Sequence, residues 1–70
     1  MNYVNVTSSN VAAISYDHTT QTLGVRFLNG SEYHYQNVPE DIYTGMLSAE
    51  SVGKFLYQNV KGIYPYQKVG

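Results

Sequence analysis

Between residues 12 and 37 apolar and polar positions alternate with a period of two, and from residue 39 onward the period lengthens to that of a helix. Residues 12–17 read as a strand, with Ala12, Ile14 and Tyr16 on one side and Ala13, Ser15 and Asp17 on the other. Residues 22–28 read as a second, Leu23, Val25 and Phe27 alternating with Thr22, Gly24, Arg26 and Leu28. Residues 31–37 read as a third, carrying Tyr33 and Tyr35 against Glu32, His34 and Gln36. Val4 and Val6 mark a short extra edge strand at most.

Parity decides the turns, because residues directly opposite in an antiparallel pair share a face. A four-residue connection, His18 to Gln21, sets Tyr16 opposite Leu23 and Ile14 opposite Val25, which gives one apolar face. At the second turn the Asn29-Gly30 dipeptide suggests a two-residue loop, but that loop would send Tyr33 and Tyr35 to the far face. A three-residue loop, Leu28-Asn29-Gly30, sets Val25 opposite Tyr33, Leu23 opposite Tyr35 and Arg26 opposite Glu32. It joins the tyrosines to the apolar face and pairs two charges across the strands, and it requires Gly30 in the left-handed region.

Pro39 suits the first helical position, where its missing N–H costs nothing, and Glu40 and Asp41 follow in the positive first turn. Ile42, Tyr43, Met46 and Leu47 form the apolar stripe of this helix. Ser48 or Ser51 caps a second helix, whose stripe is Val52, Phe55, Leu56, Val60 and Ile63, and Gly62 and Pro65 end it. The expected fold is α+β: a three-stranded antiparallel meander packed on one face by two C-terminal helices, in the order βββαα, with residues 1–70 as a single domain.

Size changes what this pattern must achieve. A chain of 70 residues buries only about 60% of its unfolded surface, so its core is close to the lower limit for independent stability. There is no cysteine to form a disulfide or a thiolate metal site, a usage that fits a reducing, cytoplasmic setting. Eight tyrosines and two phenylalanines supply large buried areas instead. Tyr16, Phe27, Tyr33, Tyr35, Tyr43 and Phe55 are the expected core aromatics. No apolar run is long enough to span a membrane, and no signal peptide is expected. The net charge of −1 argues against strong, sequence-blind nucleic-acid binding. Its distribution is uneven: residues 1–50 set Arg26 against five acids, whereas residues 51–70 hold Lys54, Lys61 and Lys68 and no acid.

The order and spacing of Ser8-Ser9, Tyr16-Asp17, Leu23-x-Val25-x-Phe27, Gly30, Tyr33-His34-Tyr35, Val38-Pro39, Tyr43, Leu47, Ala49, Ser51-x-Gly53 and Phe55 resemble the KTSC domain family. The family is named for a domain at the C-terminus of some lysyl-tRNA synthetases and also occurs as small stand-alone proteins of bacteria and phages. The resemblance spans residues 8–64 and departs at Tyr57, where the family is expected to favour asparagine. It implies the fold above and RNA binding, and brings no catalytic residues.

Candidate chemistry is concentrated in the last third of the chain. Lys54, Tyr57 and Lys61 share a helix face, with Tyr64, Tyr66 and Lys68 following, so cations alternate with rings as a single-strand or nucleotide site requires. Ser51, Gly53 and the free N–H groups at the helix start add a seat for an anion. Ser15, Asp17, His18 and His34 are the residue types of a nucleophilic triad. However, Ser15 and His34 stand on strands two spacings apart, roughly 9.5 Å between backbones, too far for a serine–base hydrogen bond. The two histidines lack the spacing of metal ligands, and no cofactor is expected. The outer sheet face, with Ala13, Ser15, Gly24, Leu28 and His34, is expected to be uncovered by the rest of the chain. Two functions fit: a non-enzymatic module that binds RNA or a nucleotide through the Lys/Tyr face, or an interaction module of phage or mobile-element origin that docks on a host protein or on a second copy.

Overall fold

A computed structural model describes residues 1–70. The elements in chain order are β1 (Val4–Asn5), β2 (Val11–Asp17), β3 (Thr22–Phe27), β4 (Glu32–Tyr35), α1 (Glu40–Ser48), α2 (Val52–Asn59) and β5 (Tyr66–Lys68). The five strands form one antiparallel sheet in the order β1-β2-β3-β4-β5. The fold is α+β with two helices, as the sequence pattern indicates, but the sheet has five strands rather than three. β1 is the short edge strand that Val4 marks, and β5 is an edge of three residues, too short for its alternation to stand out from a loop.

The central register follows from parity. Tyr16 faces Leu23 and Ile14 faces Val25; Leu23 faces Tyr35, Val25 faces Tyr33 and Arg26 faces Glu32. The second turn is the three-residue loop: Phe27 N–H donates to Ser31 O at 2.8 Å, and Gly30 has φ +93°. At the first turn Gln21 takes the left-handed conformation, φ 54°, and its carbonyl accepts the Val38 N–H at 2.9 Å, which ties the turn to the approach to α1.

Parity breaks once. Val11 faces Phe27 but Ala13 faces Arg26, so Ala12 is an inserted residue, a β-bulge. The bulge puts Val11, rather than the expected Ala12, on the helix side three residues before Ile14. Val11 is fully buried and Ala12 is not.

The core lies between this face and the helices: Val11, Ile14, Leu23, Val25, Tyr35, Val38, Met46, Val52, Leu56 and Val60. Of the expected core aromatics only Tyr35 is fully buried; Tyr16, Phe27, Tyr33, Tyr43 and Phe55 pack around it partly exposed. Tyr16 stacks on Tyr43 at 5.4 Å and donates its hydroxyl to Val38 O at 2.5 Å. Burial, and then Glu40, Asp41 and Asp17, push the Tyr16 phenol above its ordinary pKa. Leu47 and Ile63, expected in the helical stripes, are exposed. The reason for Ile63 is that α2 ends at Asn59, with Val60 as its C-cap and Gly62 at φ +82°, so Ile63 follows a turn and not a helical face. Ser51 is the N-cap of α2, its hydroxyl accepting the Lys54 N–H at 3.2 Å. No helix is long and apolar enough to cross a membrane.

Candidate functional site

The helices do not cover the whole apolar face. α1 packs against β2, and between α2 and strands β3, β4 and β5 a cleft of about 390 Å³ remains. Its walls are Phe27, Tyr33, Tyr35 and Tyr66 from the sheet and Leu56 and Tyr57 from α2. The sheet rings form a connected group: Tyr33 lies edge-on to Phe27 at 5.7 Å, and Tyr66 tilts against Tyr33 at 5.5 Å and Tyr35 at 5.9 Å. Burial and the neighbouring phenols Tyr33 and Tyr66 push the Tyr35 hydroxyl above its usual pKa, so it stays protonated at neutral pH. Two walls stand largely open, Tyr57 at 69% and Tyr66 at 63% exposure.

The polar lining comes from Asn10, Asn29, Ser31, Gly53 and Lys61. Gly53 is required by close approach. A side chain there would run into the Asn10 carboxamide, which reaches across from the loop before β2. Lys61 Nζ stands 5.6 Å from the centre of the Tyr57 ring, so a cation and an exposed aromatic face sit side by side. No carboxylate lines the cleft.

Of the site residues singled out in the sequence, Gly53, Tyr57, Lys61 and Tyr66 meet in this cleft, joined by Phe27, Tyr33 and Tyr35 of the expected core aromatics. Ser51 caps α2 behind it, and Lys54 is exposed on the first turn of that helix. Tyr64 packs against the core. Lys68 is exposed on β5 opposite Tyr33, and therefore on the same side of the sheet as the cleft. The contributions of Asn10, Asn29 and Ser31 were not anticipated, and Tyr66, expected to follow the helix face in the tail, stands here on a strand. Only the short strand β5 brings Tyr66 beside Tyr33 and Tyr35, and its sole sequence signal is the Tyr-x-Lys alternation after Pro65.

Residues 7–64 match the KTSC domain. The chain belongs to the KTSC domain family. A crystal structure of a KTSC domain protein from Yersinia pestis superposes with a TM-score of 0.92 at 33% identity, covering 99% of this chain and 97% of that one. A protein of Tsukamurella paurometabola is 41% identical over 56 residues, 80% of this chain and 84% of its own length. A lysine–tRNA ligase of Nostoc sp. is 34% identical over 59 residues, 84% of this chain but 10% of the ligase.

Part of the opposite face of the KTSC sheet, at Ala13, Ser15 and Gly24, is buried, contrary to expectation, whereas Leu28 is exposed as expected. Val4 faces Ile14 and Asn5 faces Ala13, so the alternation of β1 carries Tyr3 over the outer face. Gly24 makes room for it: a Cβ there would lie 2.5 Å from the Tyr3 hydroxyl and 3.3 Å from the end of Met1. Tyr3 donates its hydroxyl to Glu32 Oε2 at 2.6 Å, and the Arg26 guanidinium lies over its ring at 3.9 Å. Glu32 also meets Arg26 Nε at 3.3 Å and His34 Nε2 at 3.5 Å. The hydrogen bond from Tyr3, then Arg26 and His34, hold the Glu32 carboxyl below its ordinary pKa. Burial and the Glu32 carboxylate push the Tyr3 phenol far above its own.

Proposed function

We propose that this KTSC domain is a binding module for single-stranded RNA, taking one base at a time into the cleft between α2 and strands β3–β5. The observation that carries this reading is the pairing of exposed aromatic walls with a cation and no carboxylate. Tyr57 and Tyr66 offer faces for stacking, and Lys61 stands ready for a phosphate. Its volume, about 390 Å³, is at the small end for ligand sites, the scale of a single nucleotide. Lys54, next to Gly53 on α2, and Lys68, opposite Tyr33 on β5, are exposed cations for neighbouring phosphates. With a net charge of −1 the affinity rests on these few contacts and is modest. Lysine–tRNA ligases, whose name gives them an RNA substrate, are among the proteins that carry a matching segment, which supports the reading. The reading is one of binding rather than of catalysis.

The test is a titration with a short single-stranded RNA at two salt concentrations. Changing Lys54 and Lys61 together to Gln is expected to weaken binding and flatten the slope of log affinity against log salt by roughly one to two units. Tyr57→Ala is expected to cost roughly 1–3 kcal/mol of binding if a base stacks there. Neither change removes buried surface, so thermal unfolding stays near that of the parent. No binding at low salt overturns the proposal and leaves docking on a protein as the better reading.

A further inference from the structure

We infer that the cleft selects guanine, because its fixed polar lining presents hydrogen-bond donors while the neighbouring acceptors are already occupied. This rests on the reading of the cleft as a base site. Asn29 Oδ1 accepts the Ser31 N–H at 2.9 Å, which fixes the carboxamide and leaves its Nδ2 donors unused. Asn10 is held in the same sense. The Ser8 hydroxyl accepts the N–H groups of Asn10 at 3.4 Å and Val11 at 3.3 Å, so its proton is free to go to Asn10 Oδ1, 3.2 Å away. That again leaves an Nδ2 with two donors. The backbone follows suit. Asn10 O takes the Leu28 N–H and Ser31 O takes the Phe27 N–H, both at 2.8 Å. The Gly53 N–H is in the first turn of α2, where no intrahelical acceptor exists. Lys61 adds a cation. The remaining side-chain polar groups are hydroxyls, which turn to suit a ligand.

A planar ligand must therefore bring acceptors. Guanine has two adjacent ones, O6 and N7, along an edge with no donor. Adenine places an amino group there, and the usual asparagine contact to adenine needs the carboxamide oxygen as well as the nitrogen. In this cleft each oxygen already takes a hydrogen bond within its own turn, so the nitrogen is the more available half of each carboxamide. Cytosine also has two adjacent acceptors, N3 and O2, but its amino group is a donor on that same edge, and uracil sets an N–H between its oxo groups; both rank below guanine.

Calorimetric or NMR titration at low salt with the four ribonucleoside 5′-monophosphates tests this. GMP is expected to bind about tenfold tighter than AMP, the discrimination of one good paired contact. Asn29→Asp is the informative variant. An aspartate keeps Oδ1 for the Ser31 N–H and so preserves the turn, but replaces the outward donor with an acceptor. Its added charge weakens all four nucleotides alike, so the GMP-to-AMP ratio is the readout, and that ratio is expected to fall to near one. Binding of all four with equal affinity, or tighter binding of AMP, overturns the guanine preference and leaves the base site standing. A ratio unchanged in Asn29→Asp overturns the role of that side chain. Failure of every nucleotide to bind overturns the base site itself.

Discussion

The two faces of one sheet solve the same problem in opposite ways. On the helix side β2, β3 and β4 carry Ile14, Leu23, Val25 and Tyr35, large side chains that two helices bury together. On the outer side the same strands carry Ala13, Ser15 and Gly24, and a three-residue segment with one tyrosine suffices to cover them. Burial on the helix side scales with apolar area and supplies most of the stability. Cover on the outer side is a polar clasp of Tyr3, Arg26 and Glu32, partly open to water. The difference shows where a minimal domain can leave apolar surface unused. The cleft opens on the helix side, between α2 and the far strands of the sheet.

The first way to break the comparison is Tyr35→Ala. On the helix side this truncation is expected to cost about 3 kcal/mol or more, as aromatic deletions in cores do, and to unfold much of a domain this small in urea titrations. An effect no larger than that of Tyr3→Ala would mean the faces are not so unequal. The turn that assigns side chains to faces comes next. Gly30 has φ +93°, so Gly30→Val is expected to lose about 1–3 kcal/mol to backbone strain. Asn29→Ser retains a side-chain acceptor for the Ser31 N–H and is expected to change stability by only about 0.5 kcal/mol or less. Equal effects in chemical denaturation would argue against the bulged loop.

On the outer face Tyr3→Ala is expected to lower Tm by about 4–8 °C, the shift that a modest clasp gives in a domain of this size. Gly24→Ala displaces the same ring and should produce a similar loss. The double change should cost little more than either alone, because both remove one interaction. Simple additivity in a thermal-melt cycle would show that Gly24 does not seat Tyr3. The smallest effect is one of pH. Glu32 has a depressed folded pKa, so its contribution is complete above the unfolded glutamate value and is lost as pH falls through the folded one. Tyr3→Phe removes the largest cause of that depression. Its Tm is expected to fall less steeply on acidification than that of the parent, most visibly just below the ordinary glutamate range.

The central hairpins were legible because parity and a charge pair agreed. Only the three-residue loop puts both tyrosines on the apolar face and Arg26 opposite Glu32. Val11 was missed because a bulge at Ala12 breaks the very alternation on which that argument depends. Tyr3 was missed as a cover because its partners, Gly24, Arg26 and Glu32, are joined to it only by the pairing of a two-residue strand. Half of the cleft could be read from α2, whose periodicity brings Gly53, Tyr57 and Lys61 together. The other half could not. Asn10 and Asn29 are turn residues whose local roles explain their presence, and nothing in their spacing reveals that both turns abut the same helix.

Strand β5 gives the cleft a kinetic character of its own. The pairings of β2, β3 and β4 close across short turns, whereas β5 meets β4 only after residues 36–65 have looped out and back. Loop closure of that length is slow to form, and an edge strand with all three residues exposed is early to fray. The wall that holds Tyr66 is therefore the door of the site. Amide exchange at Gln67 should run well ahead of exchange at Ile14 or Val25 in the free domain. A ligand held between Tyr66 and Tyr57 should slow it, latching the sheet edge that admitted it.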